Sequence, residues 1–360
     1  MQTGLSLIEL ATKIEAQKTL KRDFIVDTAK TTMQVQRQPA AVKGEPTATT
    51  VLELPGDHGT FPILETAHDQ IGSRLNIPAK YYDRMRQHAP DLLATNVNAW
   101  FRQSPETRMV RTLGGNTRAF LSNRYQRIEN EEIAEVALPI LMDIPEVKIV
   151  SCEVTARRMY IQAVSPRVQG EVKRGDVVQA GVIISNSEIG QGAVVVSPLI
   201  YRLICLNGMV ANDGKLRGYH VGGRVDSSEE LWADDTRKAD DKAILLKVRD
   251  MVRGVVDEAR FRAHLDKLKQ LADPSAKITG NVVQAVEVLT NKVGLSDSMR
   301  PSILTALAEG GDLTAWGIVN AVTAQAHTAS DYDKAVELES IGGALINLPS
   351  TEWKTILQAA

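Results

Sequence analysis

The chain has 360 residues, enough for two or three domains and a well-buried core. Apolar residues make up 43% and charged residues 24%, the balance of a globular fold, and a net charge of −2 gives no global nucleic-acid signature. No apolar run approaches the ~20 residues of a membrane span, and two cysteines without a CxxC pair exclude a disulfide framework or a zinc site of that kind.

Met1–Gln17 carries acids and lacks a basic start before an apolar centre, so it does not read as a signal peptide, and a cytoplasmic location is expected. Within it, Leu5, Leu7, Ile8, Ala11 and Ile14 recur at helical spacing and predict a helix over Leu5–Gln17. Phe24–Gln36 reads as one extended strand, and Pro39–Thr50, rich in Ala, Thr, Pro and Gly, as a loop. Val51–Leu54 and Gly59–Leu64 bracket the turn signal Pro55-Gly56-Asp57-His58 and predict a hairpin.

Three helices follow, over Thr66–Leu75, from Pro78 through Gln87, and over Asp91–Arg102. Arg108–Arg127 holds two alternating runs around Gly114-Gly115-Asn116, a second hairpin. Glu129–Met142 is helical with acids in its first turn, where the helix dipole favours them. Val147–Val154 and Met159–Val164 read as strands, separated by Thr155–Arg158.

The densest β-branched stretch is Gly175–Val210. Its runs Ala180–Ile184 and Ala193–Val196 flank the polar link Ser185–Gly192, and a third run covers Leu199–Leu206 apart from Arg202. Cys152 and Cys205 fall in apolar runs and are expected as reduced, buried thiols, and Arg202 as an inward residue paired with Glu153 or Glu188. A glycine-rich tail, Asp213–Arg224, closes this part.

Composition changes at Val225. Ser227–Glu230 is a capping-box signature, Leu231–Leu271 predicts one or two long helices ended by Asp273-Pro274, and 281–360 is helical, punctuated at Gly310-Gly311, Gly342-Gly343 and Leu348-Pro349. The fold class expected is α+β. A β-rich body of antiparallel hairpins and helices precedes an all-helical C-terminal region, divided into an arm over 1–50, a core over 51–225 and a helical domain over 226–360.

Catalytic patterns are absent. There is no GxxxxGK[ST], HExxH or GxSxG, and Gly190-Gln-Gly192 is followed by a strand, as a hairpin turn would be. His58 beside Asp57 and His68 beside Asp69 have no third ligand at metal spacing. Glu129, Glu131, Glu132 and Glu135 read as helix-start acids rather than ion ligands, and Ser185-Asn186-Ser187-Glu188 as turn chemistry. No catalytic residue, cofactor or metal is predicted.

What remains is an uneven charge distribution. Trp100–Arg224 holds 16 Lys and Arg against 12 Asp and Glu, a local net of +4 in an acidic chain. Arg108, Arg111, Arg118, Arg124 and Arg127 lie in a segment without an acid, Arg157, Arg158, Arg167, Lys173 and Arg174 flank the next strands, and Arg202, Lys215, Arg217, His220 and Arg224 follow. Guanidinium suits bidentate phosphate contact, and interleaved aromatics such as Phe120 and Tyr125 offer stacking platforms. The competing interpretation puts these arginines on a solvated or ion-paired face and the aromatics in the core. Arginines of 108–127 and 157–174 gathered on one sheet face would favour a groove. Dispersal would favour the alternative.

Several blocks carry a family resemblance: Ile77–Met85 (IPAKYYDRM), Ala89–Leu93, Asn96–Asn98, Arg111–Leu113, Arg118–Ser122, Arg124-Tyr125, Ile184–Glu188 and Tyr201–Met209 (YRLICLNGM). In this order they resemble domain of unknown function 932, over Thr66 to Arg224 and onward into Asp331–Gly343. The resemblance implies a phage or plasmid setting near replication and recombination genes, and no catalytic residue. With the arginines it leads to an expected non-enzymatic, oligomeric single-stranded DNA-binding or annealing protein. Arg108, Arg111, Arg118, Arg124, Arg127, Arg157, Arg158, Lys173 and Arg174 would meet phosphates, and Phe120 and Tyr125 bases. The rival expectation is a structural or regulatory protein acting through its helical C-terminal region. A third is an enzyme centred on Asn186–Glu188.

Overall fold

The computed structural model describes residues 1–38, 47–211, 216–218, 234–254 and 257–360. Helix α1 (Leu7–Leu20) starts at a capping box in which Ser6 and Glu9 satisfy each other's backbone N–H groups. The stretch predicted as one strand is two, β1 (Lys21–Asp27) and β2 (Thr32–Gln38), in different sheets. Between them the Asp27 carboxylate accepts from the N–H of Ala29 at 2.9 Å, and a single 3-10 turn redirects the chain. Strands β3 (Thr47–Leu54) and β4 (Gly59–Pro62) form the expected hairpin, while residues 39–46 of the predicted loop lie outside the described residues.

Helices α2 (Glu65–Arg74), α3 (Ala79–His88) and α4 (Pro90–Gln103) lead to the second hairpin, β5 (Thr107–Leu113) and β6 (Asn116–Ser122). Gly114 and Gly115 both take positive φ, 57° and 80°, as a tight two-residue hairpin turn requires. The sheets β1-β5-β6 and β2-β3-β4 share one core with these helices, including Leu52, Ile71, Met85, Leu93, Val110 and Phe120.

After α5 (Asn130–Asp143) comes the largest sheet: β7 (Lys148–Val154), β8 (Met159–Lys173), β9 (Asp176–Asn186), β10 (Val194–Arg202) and β11 (Asn207–Val210), with β12 (Leu216–Gly218) also pairing β10. The pairing is antiparallel throughout, and β8 runs well beyond the predicted Val164. The predicted apolar run to Leu206 stops as a strand at Arg202, where Leu203, Ile204 and Leu206 turn outward. Cys152 is buried as expected, whereas Cys205 is exposed because it sits in that turn. Arg202 pairs with neither acid expected of it. Its Nε and Nη2 donate to Asp176 at 2.6 and 2.9 Å, and its guanidinium lies 5.6 Å from the Trp316 ring centroid.

Helices α6 (Asp234–Gly254), α7 (Glu258–Leu271), α8 (Val282–Val293), α9 (Arg300–Gly310), α10 (Ala315–Ala324), α11 (Tyr332–Ile346) and α12 (Ser350–Leu357) complete the chain. The capping box at Ser227–Glu230 lies outside the described residues, as does the glycine-rich tail apart from β12. Strand side chains alternate between the two faces of the large sheet, and one face serves two cores at its two ends. Val182, Ile184, Val194 and Val196 pack with α1, α5 and α6, while Val178, Ala180 and Ile200 join Phe261, Trp316 and Leu345 of the C-terminal helices. Tyr160, Ile183, Leu199 and Tyr201 meet Tyr332 of α11. Gly342 and Gly343 do not interrupt α11. A Cβ on Gly343 would stand 1.8 Å from the Val210 carbonyl oxygen, so glycine here admits β11 against the helix.

Candidate functional site

The arginine-rich hairpin does not face solvent as a unit. Arg111 on β5 is only 1% exposed. Its Nε donates to Asp23 Oδ1 at 2.8 Å, Nη1 to the Glu188 carbonyl at 2.7 Å, and Nη2 to the Glu129 carboxylate. Arg118 on β6 donates through Nη1 to Glu188 Oε2 at 2.6 Å, with Nε and Nη2 buried and unpartnered. Lys21, at the start of β1, places Nζ 2.5 Å from Glu188, 2.7 Å from Glu131 and 3.1 Å from Glu129. Arg127 reaches Asp23 at 3.2 Å.

This network joins the small β1-β5-β6 sheet to the β9–β10 turn and to the start of α5. Glu188 is its keystone: besides Lys21 and Arg118, its carboxylate accepts the N–H of Asn130 in the first turn of α5 at 2.7 Å, an anion at a helix N-terminus. Burial opposes the charged form of Glu188, yet Arg118 and Lys21 outweigh it and hold the pKa down at about 2. Burial likewise works against the Lys21 ammonium, and Glu188 and Glu129 overcome it, so that pKa is raised. Glu129, Glu131 and Glu188 are close enough to share a metal ion, but the Lys21 ammonium already lies among them and supplies the positive charge. His68 is no ligand either: its ring nitrogens meet Thr50 and Tyr82 at 2.9 and 2.8 Å, and burial lowers its pKa to about 4.

The Ser185–Gly192 link is built into the same junction. Asn186 Nδ2 donates to the carbonyl of Ile128 and to Asn130 Oδ1, both at 2.9 Å. Ser187 Oγ accepts from the N–H of Gln191 at 3.1 Å. Gln70 bridges β6 to the turn by accepting from Phe120 N–H and donating to the Ile189 carbonyl, both at 2.7 Å. These groups hold a turn in place, and no nucleophile and base lie together in it.

The remaining predicted site residues are dispersed. Arg108 pairs with Glu106 and stands 5.8 Å from the centroid of the Phe120 ring, which is itself 2% exposed. Tyr125 is buried and donates its hydroxyl proton to the Ser187 carbonyl at 3.1 Å. Neither aromatic offers a face to a base, because each fills a core. Arg124 is exposed beyond the end of β6. Lys173 pairs with Asp312 at 2.6 Å, and Arg174 is exposed beside it at the far end of β8. Arg157 and Arg158 precede the other end of that strand, up to roughly 45 Å away at ~3.3 Å per residue. Hairpin and β8 arginines therefore occupy different sheets and different ends of one sheet, the dispersed outcome.

Of the predicted set, Arg157 and Arg158 border a cavity. It measures about 280 Å³ and lies between the β7–β8 turn, the large sheet and α11, with Tyr160, Ser185, Gln191 and Asp333 also on its wall. Arg158 donates Nη2 to the Gln191 carbonyl and lies where a side chain at residue 192 would stand, which explains Gly192. Among the described residues the Arg157 guanidinium and the Ser185 hydroxyl make no hydrogen bond or ion pair, although the charges of Glu65, Asp69 and Asp331 lie near enough to interact with Arg157. Asp333 accepts through Oδ1 from the neutral hydroxyls of Tyr160 and Thr155 at 2.8 and 3.2 Å, and Glu337 is ion-paired with Lys334. A signal for the cleft was present in the sequence as adjacent arginines in a two-strand turn. The α11 wall, more than 170 residues downstream, was not readable there.

No helix of the described residues is long and apolar enough to cross a membrane. No curated protein and no solved structure matches the chain. Residues 119–337 match the family described as Domain of unknown function (DUF932), which is more than half the chain, and the chain belongs to that family.

Proposed function

We propose that this member of the domain of unknown function 932 family is a non-enzymatic protein that binds single-stranded DNA, in the replication or recombination of a mobile element. Arg157 and Arg158 are its phosphate contacts. The observation that carries the reading is the pair of adjacent guanidiniums lining the cleft, one of them without a hydrogen bond or ion pair among the described residues, with the Ser185 hydroxyl on the same wall. Of the cleft's acids, Glu337 is ion-paired with Lys334 and Asp333 accepts through Oδ1 from two neutral hydroxyls, while the Arg157 guanidinium makes no hydrogen bond or ion pair among the described residues and is free to donate to phosphate oxygens. The hairpin arginines are withdrawn from this role by their ion pairs, which makes the contact surface smaller than the sequence suggested.

Fluorescence anisotropy with a labelled oligothymidine at 50–200 mM salt is the test. Binding should weaken with salt at about −0.7 in log–log slope per phosphate neutralised, and Arg157→Ala should reduce the slope by about that amount. Arg174→Ala, at the other end of β8, should leave it unchanged. Absence of binding at the lowest salt, or equal effects of the two substitutions, refutes the assignment.

A further inference from the structure

A second cavity, of about 500 Å³, opens among α7, α11 and α12 and the segment around residue 277, away from the arginine cleft. Its volume lies in the range of small-molecule sites, about 300–1,000 Å³. Leu271, Ile346, Leu348, Trp353 and Leu357 give it an apolar wall. The indole N–H of Trp353 donates to the Leu345 carbonyl at 3.2 Å, which fixes the ring in that wall.

The charged side chains that line this cavity are of one sign, and the acid beside it, Asp273, lies behind the lining residue Ser275 and accepts from its hydroxyl at 2.6 Å. Lys267, Lys277 and Lys354 line it and no carboxylate does. Over residues 258–360 the chain holds 12 Asp and Glu against 9 Lys and Arg, so a wall with three cations and no acid departs from its surroundings. Lys267 is steadied by Asn347 Oδ1 at 2.6 Å, while Lys277 and Lys354 are exposed and have no partner among the described residues. An apolar floor under unpaired ammonium groups complements a ligand with a hydrocarbon body and an anionic head, and it penalises a cationic head.

We infer that this cavity binds a small amphiphilic anion, with the hydrocarbon part against Trp353 and Leu348 and the head between Lys277 and Lys354. The inference is independent of DNA binding. Isothermal titration calorimetry of the full chain with decanoate, decanol and decyltrimethylammonium tests it. Decanoate should bind saturably at one site, decanol more weakly, and the cation not measurably. The double substitution Lys277→Glu with Lys354→Glu should weaken decanoate by about tenfold, as expected for reversing two partly exposed charges, and leave decanol unchanged. Both lysines are on the surface, and an unchanged circular dichroism spectrum will verify folding. Failure of decanoate to bind at about 1 mM overturns the inference. So do equal affinities for the three head groups, or a double variant that binds decanoate as the parent does.

Discussion

Glu188→Gln separates a structural keystone from a catalytic acid. In the folded chain the Glu188 carboxylate accepts from Lys21 at 2.5 Å, Arg118 at 2.6 Å and the Asn130 N–H at 2.7 Å, and its side chain is 3% exposed. Glutamine keeps the shape and one acceptor but removes the charge that compensates two buried cations. Breaking one partner of a buried ion pair costs about 3–5 kcal/mol, and the isosteric amide belongs at the lower end. A second route agrees: lowering a carboxylate from 4.5 to about 2 corresponds to about 3 kcal/mol of preference for the charged form in the folded state. Because the folded pKa is the lower one, that contribution is complete above about pH 4.5 and is lost as pH falls towards 2. Urea unfolding followed by circular dichroism should therefore show the variant about 3 kcal/mol less stable at pH 7, with the gap closing below pH 4. A variant as stable as the parent at pH 7 refutes the keystone role.

Two further substitutions test the packing of α11. Glu339 is fully buried, its Oε2 accepts from Gln162 at 3.0 Å, its Oε1 has no hydrogen bond but lies 3.9 Å from the Met1 ammonium, and burial outweighs that charge and pushes its pKa up to about 7. A raised carboxylate gives stability that is complete below about pH 4.5 and is lost as pH rises through 7. Glu339→Gln should accordingly stabilise the chain by about 3 kcal/mol at pH 8 and flatten the profile between pH 5 and 8; parallel profiles for parent and variant would contradict this. Gly343→Ala should destabilise by at least about 2 kcal/mol in urea unfolding, although alanine is the better helix former by about 1 kcal/mol, because its methyl meets the Val210 carbonyl. A stabilised Gly343→Ala would show that β11 can move off the helix.

What the sequence made legible is what local chemistry decides. The turns at Pro55–His58 and Gly114-Gly115, the proline-marked helix starts and the alternation of the large sheet all depend on residues within a few positions of one another. The break at Asp27 was local too: an aspartate followed by Thr-Ala-Lys is a turn signal, and it was masked by the extended pattern on either side. Arginine occupancy was not local. The 108–127 segment contains no acid, yet its two most buried arginines are neutralised by Asp23, Glu129 and Glu188, brought in by β1, by the residue that caps α5 and by the β9–β10 turn. One sequence feature did argue for this outcome. Arg111 and Arg118 sit within short alternating runs beside Val110, Ala119 and Phe120, so forming the hairpin places them where one face or the other must be covered. A guanidinium in such a strand is retained only if the fold delivers carboxylates to it, since an unpaired buried charge costs several kcal/mol. Arg157 is the opposite case. It lies in a turn rather than a strand, none of the described residues gives it an acid within ion-pair distance, and it lines a cavity. In this chain, position within the secondary structure, more than the number of arginines, distinguishes a cation that holds the protein together from one left to meet a ligand.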